Sequence, residues 1–280
     1  MNIHGTTSLF YASTTPGARP PGRLRYLVGG TGSPVVLLHT VRTQAEHFHR
    51  LIPFLLPHHT VYALDLPGMG HSDITPGASY TEPSMRHAVA DFLTGLDLRD
   101  VIVIGESMGA VLALTVAADL PERIRRVIAI NPYDYAGGIA RSGLLARALM
   151  AGIRTPGIGP IVAGIEPRPA VRAILRGGLV DKSVLTDEYL DELLAVGRRP
   201  QYAQVAYSVF TNLPSLIAAR SLYPRVKVPV RVVYGDKDWS RPSDRHANEA
   251  LLPHADFVHL PNIGHFASLE GPVAIAALVV

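Results

Sequence analysis

The chain is 280 residues long, 48% apolar and 18% charged, a balance that buries a sizeable core and excludes an intrinsically disordered protein. The formal net charge is only +3, and the local basic group Arg123, Arg125 and Arg126 has no interleaved aromatics, which argues against a nucleic-acid partner. With no cysteine there is no disulfide framework, thiolate metal site or redox thiol; residues 1–7 lack a basic and apolar leader pattern, and no apolar run could cross a bilayer, so a cytoplasmic location is expected.

Residues 8–12 read as a short first strand, 14–22 as a Pro- and Gly-rich loop, 23–28 as a strand and 34–39 as a fully apolar strand. Gly29 to Gly32 reads as the turn between the last two, so a hairpin feeding a parallel sheet is expected there. Phe48, Leu51, Ile52, Leu55 and Leu56 recur at helical spacing over 46–56, where Pro57 ends the run. A strand over 60–64, a turn-rich stretch over 65–72 and a helix over 82–96 follow.

Val101 to Ile104 is a run of β-branched apolar residues, as a strand buried on both faces would be, and an Ala/Leu/Val run after Gly109 reads as a buried helix. A strand over 126–130 closes this β-α alternation. From 132 to about 223 only helical patterns appear, over 139–150, 169–176, 187–196 and 202–212, with a Gly- and Pro-rich joint at 155–160. The alternation resumes with a strand over 228–234, a helix over 243–252, a strand over 257–260 and a last helix from 272, whose abrupt stop at 280 suggests that closing residues lie beyond. The pattern predicts an α/β core, 1–132 and 223–280, whose mostly parallel sheet is flanked by helices, with a helical cap, 133–222, inserted after the sixth strand.

Between the strand at 101 and the helix after it lies Gly105-Glu106-Ser107-Met108-Gly109, a G-x-S-x-G turn that lifts a serine hydroxyl clear of the sheet. Such a hydroxyl is a weak nucleophile until a base, usually a histidine oriented by a carboxylate, takes its proton. In a parallel sheet these partners are expected in loops at the strands' carboxyl ends. His265 follows the last strand, and Asp236 and Asp238 follow the strand before it, giving the chain order Ser, Asp, His.

These landmarks, with Asp65-Leu66-Pro67-Gly68-Met69-Gly70-His71-Ser72, resemble the α/β-hydrolase fold family in its capped serine hydrolase or esterase-like form, over essentially the whole chain except the cap. The resemblance implies Ser107 as nucleophile, His265 as general base and then acid, and Asp238, three residues after Gly235, as the orienting acid; Asp236 and Asp134 are the alternatives. It also implies two oxyanion donors, the N–H of Met108 and that of Val41. Where the family commonly has His-Gly, this chain reads His39-Thr40-Val41-Arg42, and Thr40 constrains that loop.

Arg42 is a candidate grip for a substrate carboxylate, with an ion pair as the simpler reading. His39 fits a structural role at a strand end, and His58 and His59 fit a solvated turn. Glu46, His47 and His49 do not make a metal site, because i and i+2 on a helix face apart; no metal or cofactor is implied. Trp239 reads as packing, while Met150, Tyr202, Tyr207 and Phe210 fit either a cap core or a pocket.

The expected activity is hydrolysis of an ester or related acyl compound, small and largely apolar, through an acyl-enzyme at Ser107. Serine relatives of the fold also cleave carbon–carbon bonds of dienoic ketoacids, make peracids or hydrolyse amides. Dehalogenase and epoxide hydrolase relatives use Asp as nucleophile, so Ser107 argues against both. A slow-turnover ligand-binding receptor is the alternative from another class, supported by the departure at Thr40 alone.

Overall fold

The computed structural model describes residues 1–13 and 22–279, so the loop expected over 14–22 lies, up to residue 21, outside the described residues, as does Val280. Eight strands form one sheet in the order β1-β2-β4-β3-β5-β6-β7-β8. They are β1 (Thr6–Ala12), β2 (Arg23–Gly29), β3 (Ser33–Leu38), β4 (His59–Leu64), β5 (Val101–Glu106), β6 (Ile124–Ile130), β7 (Val230–Gly235) and β8 (Asp256–Leu260). β1 and β2 pair antiparallel, β2 meets β4 antiparallel, and β3 to β8 run parallel.

The hairpin expected between the strands at 23 and 34 is therefore not formed: β1 and β2 make the hairpin, and β4 lies between β2 and β3. The glycines of the 29–32 turn explain the difference. A Cβ on Gly30 would come within 2.2 Å of the His59 carbonyl oxygen, and one on Gly32 within 2.3 Å of that of His58. The turn thus crosses over the entry of β4 instead of closing tightly on its own strands.

Alternate residues of the central strands feed two cores. Val36, Leu38, Val101, Val103 and Val127 face α2 (Glu82–Gly95) and α3 (Met108–Asp119), whereas Val35, Leu37, Ile102, Ile104 and Ile128 face α1 (Ile52–Leu55) and α12 (Pro272–Ala277). Every residue of β5 is buried, and so is every residue of α3 from Met108 to Ala118, so the turn carrying Ser107 joins two fully enclosed elements.

The single helix expected over 46–56 is instead a 3₁₀ turn, Ala45–Phe48, followed by α1. Pro53 accounts for the break, since it lacks an N–H and its ring would meet the carbonyl four residues back. Between β6 and β7 only helices occur among the described residues: α4 (Leu144–Ile153), α5 (Gly159–Gly164), α6 (Arg168–Arg176), α7 (Asp187–Gly197), α8 (Tyr202–Thr211) and α9 (Leu213–Ala218), with short 3₁₀ turns. The helix expected over 139–150 splits at Gly143, whose φ of +156° ends a 3₁₀ turn before α4 begins. The joint expected at 155–160 overlaps α5, and α9 has no counterpart among the expected helices; both carry a proline in their first turn, where its missing N–H costs nothing. After β7 come α10 (Pro242–Leu251), β8, α11 (Ala267–Glu270) and α12, which ends at Ala277, short of the helix expected to 280.

Candidate active site

Because β3 to β8 are parallel, their carboxyl ends share one edge of the sheet. The chain leaves β3 for β4 on one side and returns to β5 on the other, which opens a crevice between the loops after β3 and β5. Ser107 sits there with φ 60° and ψ −114°, a strained backbone for a residue with a side chain. Two glycines permit it. A Cβ at Gly105 would lie 2.0 Å from the Gly109 carbonyl oxygen, and one at Gly109 would lie 2.0 Å from that of Leu38.

Ser107 Oγ lies 2.9 Å from His265 Nε2, and His265 Nδ1 lies 2.5 Å from Asp238 Oδ1. The other carboxylate oxygen of Asp238 accepts the Ser240 N–H at 2.9 Å. Burial works to raise the Asp238 pKa, but the adjacent His265 and the Ser240 donors outweigh it and hold the carboxyl below its usual value. The sequence-predicted serine, histidine and Asp238 are thus brought together.

The two alternative acids are not. Asp236 is exposed and pairs with Lys237 at 3.2 Å. Asp134 is buried, accepts from Tyr223 Oη at 2.9 Å and Asn248 Nδ2 at 2.8 Å, and burial pushes it up to about 6.

Met108 is the first residue of α3, so its N–H has no partner within the helix and lies at the positive end of the helix dipole. Thr40, Val41 and Arg42 line the same pocket as Ser107. The left-handed backbone of that loop falls on Arg42, with φ 64°, and not on Thr40, so the position where the family commonly has glycine makes no demand that threonine fails to meet. His39 anchors the loop: its Nδ1 donates to the Thr40 carbonyl at 2.8 Å and its Nε2 accepts from the Leu66 N–H at 3.0 Å. That arrangement fits only a neutral ring, and burial lowers the His39 pKa to about 3.

Arg42 is not free to grip a substrate carboxylate. Its guanidinium forms a two-pronged ion pair with Glu166, donates to the Leu193 carbonyl at 3.3 Å and lies over the Tyr202 ring. His47 and His49 also face apart: His47 Nε2 bonds Glu106 and its Nδ1 meets Tyr189 Oη at 2.8 Å, while His49 Nδ1 meets the Glu46 carbonyl at 3.0 Å. His59 is held by Ser33 at 3.0 Å. One group, Glu46, His71 and Glu192, brings metal-type donors within 4.8 Å of one another, but Arg25 pairs with Glu46 and the terminal ammonium with Glu192, so protein cations already balance these carboxylates.

Two residues around the histidine escape the sequence reading as site residues. Trp239 is more than packing: its ring stacks on His265 with centroids 3.8 Å apart and planes 14° apart, covering one face of the imidazole. Asn131, at the end of β6, donates from Nδ2 to the carbonyls of Gly264 and His265 at 3.0 and 2.9 Å and accepts the Gly235 N–H at 2.9 Å, so one buried amide ties the acid-bearing strand to the histidine loop. The only sequence signal for Asn131 is its place directly after a strand. The inserted helical segment contributes too, since the Gly178 carbonyl accepts the His265 N–H at 2.7 Å.

Above Ser107 a cavity of about 120 Å³, open to solvent, is lined mainly by apolar side chains, among them Tyr133, Leu149, Ile153, Ile174, Phe210 and Trp239. Of the four residues left between pocket and core, Phe210 lines this cavity; Met150 and Tyr202 are buried in the core and Tyr207 packs against it. No helix among the described residues is long and apolar enough to cross a membrane.

Residues 33–149 match the family model described as alpha/beta hydrolase fold. Among curated proteins, the chain is 29% identical over 185 residues to 2-hydroxy-6-oxo-2,4-heptadienoate hydrolase of Pseudomonas putida, covering 65% of this chain and 61% of that protein. It is 24% identical over 271 residues to haloalkane dehalogenase 2 of Mycobacterium tuberculosis, covering 92% and 91%. Among solved structures, Cfl2 from Burkholderia cenocepacia superposes with a TM-score of 0.84 at 21% identity, over 99% of this chain and 96% of that one. With its eight-stranded sheet, its helices on both faces and its serine turn between β5 and α3, the chain has the α/β-hydrolase fold.

Proposed function

We propose that the chain is a serine hydrolase acting on a largely apolar acyl substrate, most simply an ester, through a covalent acyl-enzyme at Ser107. The observation that carries this reading is the run of contacts from Ser107 Oγ to His265 Nε2 and from His265 Nδ1 to Asp238, at 2.9 and 2.5 Å. In this scheme Ser107 Oγ attacks the acyl carbon as His265 Nε2 takes its proton, and Asp238 fixes the imidazole and balances its charge. The N–H groups of Met108 and Val41 receive the developing oxyanion, each such donor being worth roughly 2.7–4 kcal/mol. His265 then returns the proton to the leaving group, and a water activated by the same nitrogen releases the acid and restores Ser107.

Residues 133–222 act as the cap and 1–132 with 223–280 as the catalytic core in this reading. The apolar lining favours a substrate whose acyl or alcohol part is hydrocarbon-rich.

A second reading has one specific support, the similarity to a hydrolase of a dienoic ketoacid. Carbon–carbon cleavage would use the same serine, but a ketoacid brings a carboxylate. Arg42, the one cation among the lining residues, is already paired with Glu166, which favours the neutral acyl substrate. Perhydrolysis on the same three residues and slow-turnover ligand binding have no comparable support.

A fluorophosphonate probe is expected to label the protein at Ser107 and not Ser107→Ala, and this variant should lose about 10⁴-fold or more in kcat on a short-chain nitrophenyl ester. Equal rates for the two proteins would overturn the enzyme reading. Faster turnover of a dienoic ketoacid than of any ester in a chain-length panel would replace the first reading by the second.

A further inference from the structure

The helical insertion carries a surface that its fold does not explain. From Tyr135 to Ile165 the sequence contains no Asp or Glu, while Arg141, Arg147 and Arg154 fall within it. Arg141 is held by Asp244, but Arg147 and Arg154 form no ion pair among the described residues. In the same stretch large aliphatic side chains stand in solvent: Leu144 is 85% exposed, Ile161 65% and Ile158 49%. Single exposed leucines are ordinary, but several together beside unpaired cations are not.

The spacing puts them on outward faces. On α4, Leu144, Ala148 and Ala151 recur along one side with Arg147 and Arg154 along its margin, and the opposite side buries Ala146, Met150 and Ile153. On α5 and its flanks, Ile158, Ile161 and Ile165 recur at i, i+3 and i+7. The two helices pack together, with Gly152 of α4 against Val162 of α5. This surface continues into the pocket, because Leu145 and Ile165 line the cavity and are themselves 47% and 60% exposed.

We propose that the outer face of α4 and α5 is a docking surface for a lipid bilayer with anionic headgroups, on which the protein rests peripherally with the mouth of its apolar pocket against the lipid. Aliphatic residues enter the boundary between headgroups and acyl chains, and Arg147 and Arg154 meet the headgroup phosphates at its rim. Charge decides between this occupant and others: a surface without acids, carrying unpaired cations, repels a second copy of itself and complements an anionic membrane. Neither α4 nor α5 spans the bilayer, being 10 and 6 residues long. The proposal is independent of which bond the site cleaves.

Co-sedimentation of the full chain with phosphatidylcholine vesicles, with and without phosphatidylglycerol, tests it. The protein should pellet with the phosphatidylglycerol vesicles at low salt and detach as salt rises. Leu144→Ser/Ile161→Ser should weaken that partitioning about tenfold, and Arg147→Gln/Arg154→Gln should remove the preference for the anionic lipid. Both variants should keep the parent's thermal melt and its rate on a water-soluble nitrophenyl ester, since none of the four residues lines the pocket. Failure of the parent to pellet with phosphatidylglycerol vesicles, or equal binding by the variants, would overturn the proposal. So would sedimentation showing a dimer of the parent that Leu144→Ser/Ile161→Ser dissociates, which would make the face a contact between copies of this chain.

Discussion

Asp236 and Asp238 leave the same strand two residues apart, yet one is solvated beside Lys237 and the other is buried against His265. A carboxylate in the second position keeps the imidazole in the tautomer whose Nε2 can accept a proton. Asp238→Asn should therefore lower kcat by about 10⁴-fold on the best ester, and Asp236→Asn should leave it within about a factor of two, measured at saturating substrate. A comparable loss in both variants would mean that the acid is misassigned. The difference between the two aspartates is readable from the G-x-x-D spacing of a known family, because the distance from strand end to acid is fixed by backbone geometry. The stacking of Trp239 on His265 is not, since a ring's neighbours across a loop are set by tertiary packing that one sequence does not display.

At the scale of elements, the turn carrying Ser107 depends on a contact between two backbones. Gly109 brings α3 so close to the end of β3 that a methyl group there would meet the Leu38 carbonyl at 2.0 Å. Gly109→Ala should cost about 1–3 kcal/mol of stability in urea unfolding and should also reduce labelling of Ser107, because α3 can make room only by shifting the turn. Strands are legible in the sequence wherever apolar periodicity is strong, as in β3, β5 and β6. The pairing of β2 is not, because a Gly-rich turn fixes a reversal of direction without saying which strand fills the gap. Helices break where a single residue outranks the apolar pattern, at Pro53 and at Gly143.

For the whole molecule, two buried groups pull stability in opposite directions with pH. Asp134 titrates at about 6 in the folded chain against an ordinary 3.8, so its contribution is fully present below pH 3.8 and is lost as pH rises through 6. His39 titrates at about 3 against 6.5, so its contribution is present above pH 6.5 and is lost as pH falls toward 3. Asp134→Asn keeps an oxygen for Tyr223 and Asn248 and removes only the first effect. Its stability relative to the parent should rise between about pH 4 and pH 6, by at most about 1.4 kcal/mol per pH unit, and then stay level. Urea titrations across that range check this, and a difference independent of pH would show that Asp134 titrates normally.

The ion pair between Arg42 and Glu166 has a mechanical meaning. Arg42 is the residue directly after Val41 and is held in a left-handed backbone, while Glu166 lies between α5 and α6 of the insertion. One peptide unit separates Val41, which lines the pocket with Ser107, from a side chain clamped to the helical insertion, so insertion and loop form a lever with a very short arm. The link between α5 and α6 and the loop beside Ser107 therefore runs through one side-chain pair and not through the sheet.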